Sequence, residues 1–291
     1  MEICAHLLTT TLTNLTSLKT SRSKTITIDG CTFHYLEKGS GNLMIFLHGW
    51  LHSGNVWQHV ADHFSSHFKT IAVDLPGFGS SSPLDLQNIS FSEYGTYLNK
   101  FITEITANSD EPVIIADSLS AILCLEMIKN NILKYHKLFL IGCPTDGLPF
   151  YIRLLAKSNS LRYLLPAVRI LPDRAINLFI KHLNFITLWN RAIDSRPLIV
   201  SLRKADPNSA QVLLKSISNS YDLNALHYAD NIIVLRGIKD QLVSRIASNK
   251  LCTALQYAAF FEISQSGHSV MLENPMELID TVRNQLTYDD Q

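Results

Sequence analysis

Residues 113–127 read Val-Ile-Ile-Ala-Asp-Ser-Leu-Ser-Ala-Ile-Leu-Cys-Leu-Glu-Met, and the chain is organised around them. The apolar run at 113–115, bounded by Pro112, predicts a buried strand. Leu119, Ile122, Leu123, Leu125, Met127 and Ile128 are apolar nearly all round, which predicts a buried helix. Between them lies Ala116-Asp117-Ser118-Leu119-Ser120, a strand-to-helix turn with a serine at its apex. Such a turn can hold a serine strained and exposed as a nucleophile, with a helix N-terminus behind it. The usual pattern is G-x-S-x-G, and here Ala116 and Ser120 replace both glycines. Those glycines let strand and helix pass closely, so alanine and serine are the least damaging substitutes. Taken alone, the turn also fits a helix-capping serine.

With 291 residues, 46% of them hydrophobic, the chain can bury a large core, and one α/β domain with an insertion is expected. A formal net charge of zero points away from disorder and from nucleic-acid binding. The five cysteines (Cys4, Cys31, Cys124, Cys143, Cys252) are odd in number and lack C-x-x-C spacing. They read as reduced thiols of a cytoplasmic protein rather than a disulfide framework or zinc site. No metal cluster, phosphate loop or cofactor signature is present, and no apolar run is long enough to span a membrane. Residues 1–24 are rich in Ser and Thr and carry Lys19, Arg22 and Lys24 against the single acid Glu2. That composition shares features with a transit peptide, but the basic residues come late, and a loosely ordered extension before the first strand is the expectation.

Along the chain, residues 25–28 alternate, Asp29-Gly30 is a tight turn, and 31–37 resume as a strand. The short apolar strand at 43–47 runs directly into His48-Gly49-Trp50. A helix is predicted with Val56, Trp57, Val60, Ala61 and Phe64 on one face, then a strand at 68–73 ending in Asp74-Leu-Pro-Gly-Phe-Gly. Residues 90–108 read as a helix capped by Ser90 with Glu93 three positions on. After the central stretch, 138–143 is a strand. Residues 144–229 hold no convincing strand, and the alternation resumes with a strand at 232–236, a helix at 244–254, a strand at 257–263 and a helix at 275–286. Strands alternating with helices predict a mostly parallel sheet covered on both faces. The divisions expected are an extension at 1–24, an α/β core at 25–143 and 230–291, and a helical cap at 144–229.

The order His48-Gly49-Trp50, Asp74-Leu-Pro-Gly-Phe-Gly, the Ser118 elbow, Gly237-Ile-Lys-Asp240 and Gly267-His268 resembles the α/β-hydrolase superfamily across residues 25–287. The resemblance implies that fold and a triad in the order Ser…Asp…His, which falls on Ser118, Asp240 and His268. Serine needs a base to take its proton as it attacks, and the base needs an acid to fix its tautomer. The same resemblance assigns oxyanion donors to the backbone N–H groups of Trp50 and Leu119. Asp146, after the strand at 138–143, is the alternative acid. His48 is expected to brace the oxyanion loop and stands, with Cys143 and Trp189, among the substrate-binding candidates. His52, His59, His63 and His67 are expected to be solvated. Asp117 departs from the pattern, which has a neutral residue there: it points aside, or it raises the pKa of His268.

Residues 147–215 carry eleven Lys or Arg against three Asp, a net +8 that leaves −8 on the rest of this neutral chain. Aromatic and aliphatic residues are interleaved with these charges. One reading is an amphipathic cap with a solvated basic face. The other is an acyl tunnel under a surface that draws an acyl carrier protein, coenzyme A or an anionic lipid surface. Within the superfamily, residues 43–81 look most like the pimeloyl-carrier-protein methyl ester esterases. The expected activity is serine-dependent cleavage of a carboxylic ester or thioester through an acyl-enzyme, without a cofactor. A triad-using lyase of the menaquinone-pathway kind, a hydrolase of a small secondary metabolite, and a ligand-binding homologue without turnover are the alternatives.

Overall fold

A computed structural model describes residues 21–85, 89–182, 193–226 and 229–287. Eight strands form one sheet: β1 (Arg22–Ile28), β2 (Cys31–Lys38), β3 (Leu43–Leu47), β4 (Lys69–Val73), β5 (Val113–Asp117), β6 (Lys137–Ile141), β7 (Ile232–Gly237) and β8 (Ala259–Ile263). Their order is β1-β2-β4-β3-β5-β6-β7-β8. The β1–β2 and β2–β4 pairs are antiparallel, and every pair from β4 through β8 is parallel. All residues of β3, β5, β6 and β7 are buried, which explains why these strands read as continuous apolar runs rather than alternating ones.

Helices α1 (Gln58–Phe64), α2 (Phe91–Thr106), α3 (Leu119–Lys129), α9 (Arg245–Ala254), α10 (Val270–Glu273) and α11 (Pro275–Thr287) accompany the sheet. Between β6 and β7 the described residues form five α-helices, α4 (Phe150–Lys157), α5 (Leu161–Val168), α6 (Asp173–His182), α7 (Arg196–Lys204) and α8 (Pro207–Ile217), and a 3-10 turn at Leu223–Ala225. α3 is buried on nearly every side, from Leu119 to Ile128. The capping box of α2 forms as its sequence suggests: Ser90 Oγ accepts from the Glu93 N–H at 3.2 Å, and the Glu93 carboxylate accepts from the Ser90 N–H at 2.6 Å.

Some boundaries shift. β1 starts at Arg22, so the basic residues Arg22 and Lys24 belong to the sheet, where Lys24 pairs with Glu37 across the strands, rather than to an extension. The single helix expected around residues 56–64 is a 3-10 turn (Gly54–Trp57) followed by the short α1. Trp189 lies outside the described residues. No helix among the described residues is long and apolar enough to cross a membrane.

Candidate active site

The site assembles where β5, β6 and β7 end. Ser118 caps α3 with φ 52° and ψ −105°, a conformation that costs a non-glycine residue energy and lifts its hydroxyl off the strand. Its N–H donates to Ile141 O at 2.8 Å, which ties the turn to β6. The glycine position after the serine is filled by Ser120, whose buried Oγ lies 2.8 Å from Leu47 O, 2.9 Å from Asp117 O and 2.9 Å from the Asp117 N–H. A side chain is tolerated there because its one hydroxyl both donates and accepts inside the elbow.

His268, in the loop after β8, brings Nε2 to 2.9 Å from Ser118 Oγ. Its Nδ1 lies 2.8 Å from Asp240 Oδ2. Asp240 Oδ1 accepts from the N–H groups of Leu242 and Val243 at 2.8 and 3.0 Å, leaving Oδ2 for the imidazole. The carboxylate only accepts, so Nδ1–H donates to it, and in the neutral imidazole Nε2 accepts from the serine hydroxyl. Gly142, at φ +54°, gives the pair its room, because a Cβ there would lie 3.0 Å from His268 Cε1.

Burial disfavours the charged imidazole of His268, but Asp240 outweighs it, helped by the Asp117 and Glu273 carboxylates, and the pKa is pushed up to about 9. Asp117 is fully buried, and His52 Nδ1 lies 3.6 Å from its Oδ2. So His52 is not solvated: it is 3% exposed, enclosed where the loop that follows β3 approaches the Ser118 turn. Gly49 makes that approach possible, since a Cβ there would fall 2.5 Å from Asp117 Oδ2 and 3.2 Å from Ser118 Cβ.

The loop that follows β3 is braced from behind. His48 is fully buried; its Nδ1–H donates to Gly49 O at 2.7 Å and its Nε2 accepts from the Leu75 N–H at 2.9 Å. Burial holds its pKa down to about 4 against the opposing pull of Asp74, so it stays neutral. Both nitrogens of His48 are thus engaged by backbone groups of this chain. Asp74 in turn accepts from the N–H groups of Gly54 and Ser80 and from His34 Nδ1, at 2.7, 2.8 and 2.8 Å. Leu119 opens α3, where first-turn N–H groups lack intrahelical acceptors. Trp50 sits in the loop facing the elbow, and its indole N–H donates to Ala210 O of α8 at 2.8 Å.

Cys143 is buried, with its thiol pushed well above the usual range by burial. Asp146 pairs instead with Lys250 at 2.9 Å on the surface, which removes it from the imidazole. Two residues were not singled out from the sequence. Arg236, buried in β7, donates to Asp240 O and Val243 O at 2.9 and 2.8 Å and pairs with Glu262 at 2.9 Å, so it shapes the acid's loop. Its signal was an arginine closing the apolar run Ile-Ile-Val-Leu. Glu273, on α10, adds negative charge near His268.

A cavity of about 10 Å³ beside the loop that follows β3 is lined by Leu51, His52, Ile180, Leu198 and Leu202. Ser118 is 7% exposed. A cleft of about 920 Å³ lies away from this chemistry, near His63, His67, His136 and Arg283. Of the apolar side chains of this segment, Phe150, Leu154 and Tyr163 are exposed while Leu161 and Leu165 are buried, because α4 and α5 bury only one face each.

Among curated proteins, the chain is 43% identical to the pimeloyl-[acyl-carrier protein] methyl ester esterase of Vibrio vulnificus (strain YJ016) over 51 residues, 18% of this chain and 20% of that protein. Thus the chain matches about a fifth of that relative's length. A longer, weaker match is Protein PHYLLO, chloroplastic, of Arabidopsis thaliana, 24% identical over 274 residues, covering 86% of this chain and 16% of that protein. Among solved structures, the Cif epoxide hydrolase from Acinetobacter nosocomialis superposes with a TM-score of 0.74 at 18% identity, covering 98% of this chain and 96% of the other. A thermophilic esterase from Thermogutta terrifontis gives a TM-score of 0.73 at 16% identity, covering 92% and 98%. The Alpha/beta hydrolase family model matches residues 44–281, most of the sequence, and with the sheet order described above it shows that the chain belongs to this family and has its fold.

Proposed function

We propose that this protein is a serine hydrolase that cleaves a carboxylic ester or thioester. The observation that carries the reading is the continuous run of contacts Ser118 Oγ–His268 Nε2 and His268 Nδ1–Asp240 Oδ2, at 2.9 and 2.8 Å, with the serine in a strained φ. Ser118 Oγ attacks the acyl carbon while His268 Nε2 takes its proton. The negative charge that develops on the acyl oxygen is received by the N–H groups of Leu119 and Trp50. The imidazolium, held by ionised Asp240, then protonates the leaving alcohol or thiol as the acyl–oxygen or acyl–sulfur bond breaks. Water, deprotonated by the same nitrogen, attacks the acyl-serine, and as the acyl–Oγ bond breaks the imidazolium returns that proton to Ser118 Oγ and the acid is released.

The helices between β6 and β7 act as a cap over this site, with Ile180 of α6 and Leu198 and Leu202 of α7 meeting Leu51 and His52 around a small cavity. A carrier-linked acyl ester is a second reading, supported by the names of the relatives matched over 51 residues. Labelling with a fluorophosphonate is the test. Stoichiometric modification of Ser118 is expected, and its absence in folded protein would leave the fold as a ligand binder or place the nucleophile elsewhere.

A further inference from the structure

The inserted helices carry an outer surface that burial within this chain does not explain. Eight of the thirteen exposed large hydrophobic residues among those described fall between positions 150 and 178. Phe150 is 73% exposed, Leu154 58%, Tyr163 80%, Ile170 86% and Leu178 71%. The inward faces are settled, since Ile152 and Ala156 of α4 and Leu161, Leu165 and Val168 of α5 are buried and both helices pack on α8. Their apolar outer faces therefore look away from α8 together. Concentrated apolar exposure of this kind marks an interaction surface rather than the scatter normal for a soluble chain.

The charge on the same surface is one-sided. Arg153, Lys157, Arg162, Arg169 and Arg174 are exposed in that interval, against the single acid Asp173. Asp173 is already paired with Arg203 at 2.7 Å. Among the described residues, none of those five cations is paired with a carboxylate. Short helices that display aromatic and aliphatic side chains beside unpaired Arg and Lys match the chemistry of a bilayer interface. The apolar groups enter the acyl boundary, and the cations meet the headgroup phosphates.

We propose that the outer faces of α4, α5 and α6 form a docking surface for a bilayer of anionic phospholipid. A second copy of the chain fits poorly, because an isologous contact would set five cations against the same five. An acidic protein partner would answer the charges but leave the protruding apolar side chains without a hydrocarbon environment.

Flotation of the full chain with vesicles tests this, and it is read without turnover, so its outcome is separate from that of the triad. Binding is expected to vesicles of equal parts phosphatidylcholine and phosphatidylglycerol, and to be much weaker to phosphatidylcholine alone. Raising salt to 1 M shortens the screening length to about 3 Å and should release most of the protein. Arg153→Glu with Arg162→Glu and Arg169→Glu should lower partitioning about 100-fold or more, since each cation near an anionic surface contributes on the order of 1 kcal/mol. Phe150→Ser with Tyr163→Ser and Ile170→Ser should lower it at least about 10-fold through lost apolar burial. Both triple variants change exposed positions and should keep the thermal midpoint. The proposal is overturned if wild-type protein ignores anionic vesicles, or if both variants float like wild type. It is equally overturned if the apolar surface proves to hold a dimer in sedimentation, or if an acidic acyl carrier protein binds these residues while vesicles do not.

Discussion

Asp117 lies beside Ser118 in sequence, and its charge bears on the imidazole of His268. Its buried negative charge joins Asp240 in favouring the imidazolium of His268. A base raised to about 9 must lose its proton before it can serve, so kcat/KM should climb with pH toward that value. Asp117→Asn removes one of the charges that favour the imidazolium, so the rising limb should move to lower pH. A limb that stays in place would show that Asp117 does not tune His268. Stability runs the other way: the imidazolium contribution is full below 6.5 and is lost as pH rises through about 9. Ser118→Ala should abolish ester turnover by several orders of magnitude while leaving the thermal midpoint nearly unchanged. Asp240→Asn should lower kcat by roughly 10⁴ through the wrong imidazole tautomer, and Asp146→Asn should do little; the reverse ranking would move the acid. Ser118, Asp240 and His268 were legible because each sits in a short motif at a strand end, in a fixed order. His52 was not: one polar residue in a loop carries no mark of whether another loop closes over it, and that closure depends on Gly49 and Asp117 meeting in space.

The elbow shows how an element absorbs a sequence that departs from its usual pattern. Ser120 replaces a glycine, yet its hydroxyl meets three backbone groups from β3 and β5. Ser120→Ala would remove a buried hydrogen-bond partner from the Asp117 N–H and the Leu47 carbonyl, at a cost of about 1–3 kcal/mol in denaturant unfolding. A cost near zero would mean that water or backbone movement replaces the hydroxyl. Strands β3, β5, β6 and β7 could be read from sequence because burial on both faces leaves only apolar residues in them. β1 was harder to bound: it is an edge strand with mostly exposed positions, so Arg22 and Lys24 look like a tail until β2 is seen to pair with them. The split between the 3-10 turn and α1 was equally hidden, since Val56, Trp57, Val60, Ala61 and Phe64 are buried in either geometry.

At the scale of the molecule, helices α6 and α7 pack against the loop that follows β3. Leu198 is 2% exposed and closes the small cavity beside His52, so Leu198→Ala should widen the site and shift preference toward bulkier acyl groups. It should also cost about 2–5 kcal/mol in stability. Both follow from kcat/KM across a series of ester chain lengths and from a denaturation curve, and an unchanged chain-length profile would remove Leu198 from the acyl path. The basic, apolar composition of residues 147–215 was visible in sequence, but not which side of each helix faces inward, because helical periodicity marks a stripe and not the partner that covers it. One bond deserves to be followed outward. The Trp50 indole is anchored to Ala210 of α8, while its main-chain N–H belongs to the loop proposed to receive the acyl oxygen. Any displacement of α8 therefore pulls on that donor. The two ends are thermodynamically reciprocal: whatever factor an occupied outer surface imposes on the affinity of a transition-state analogue, the analogue must impose on the affinity of that surface for its occupant.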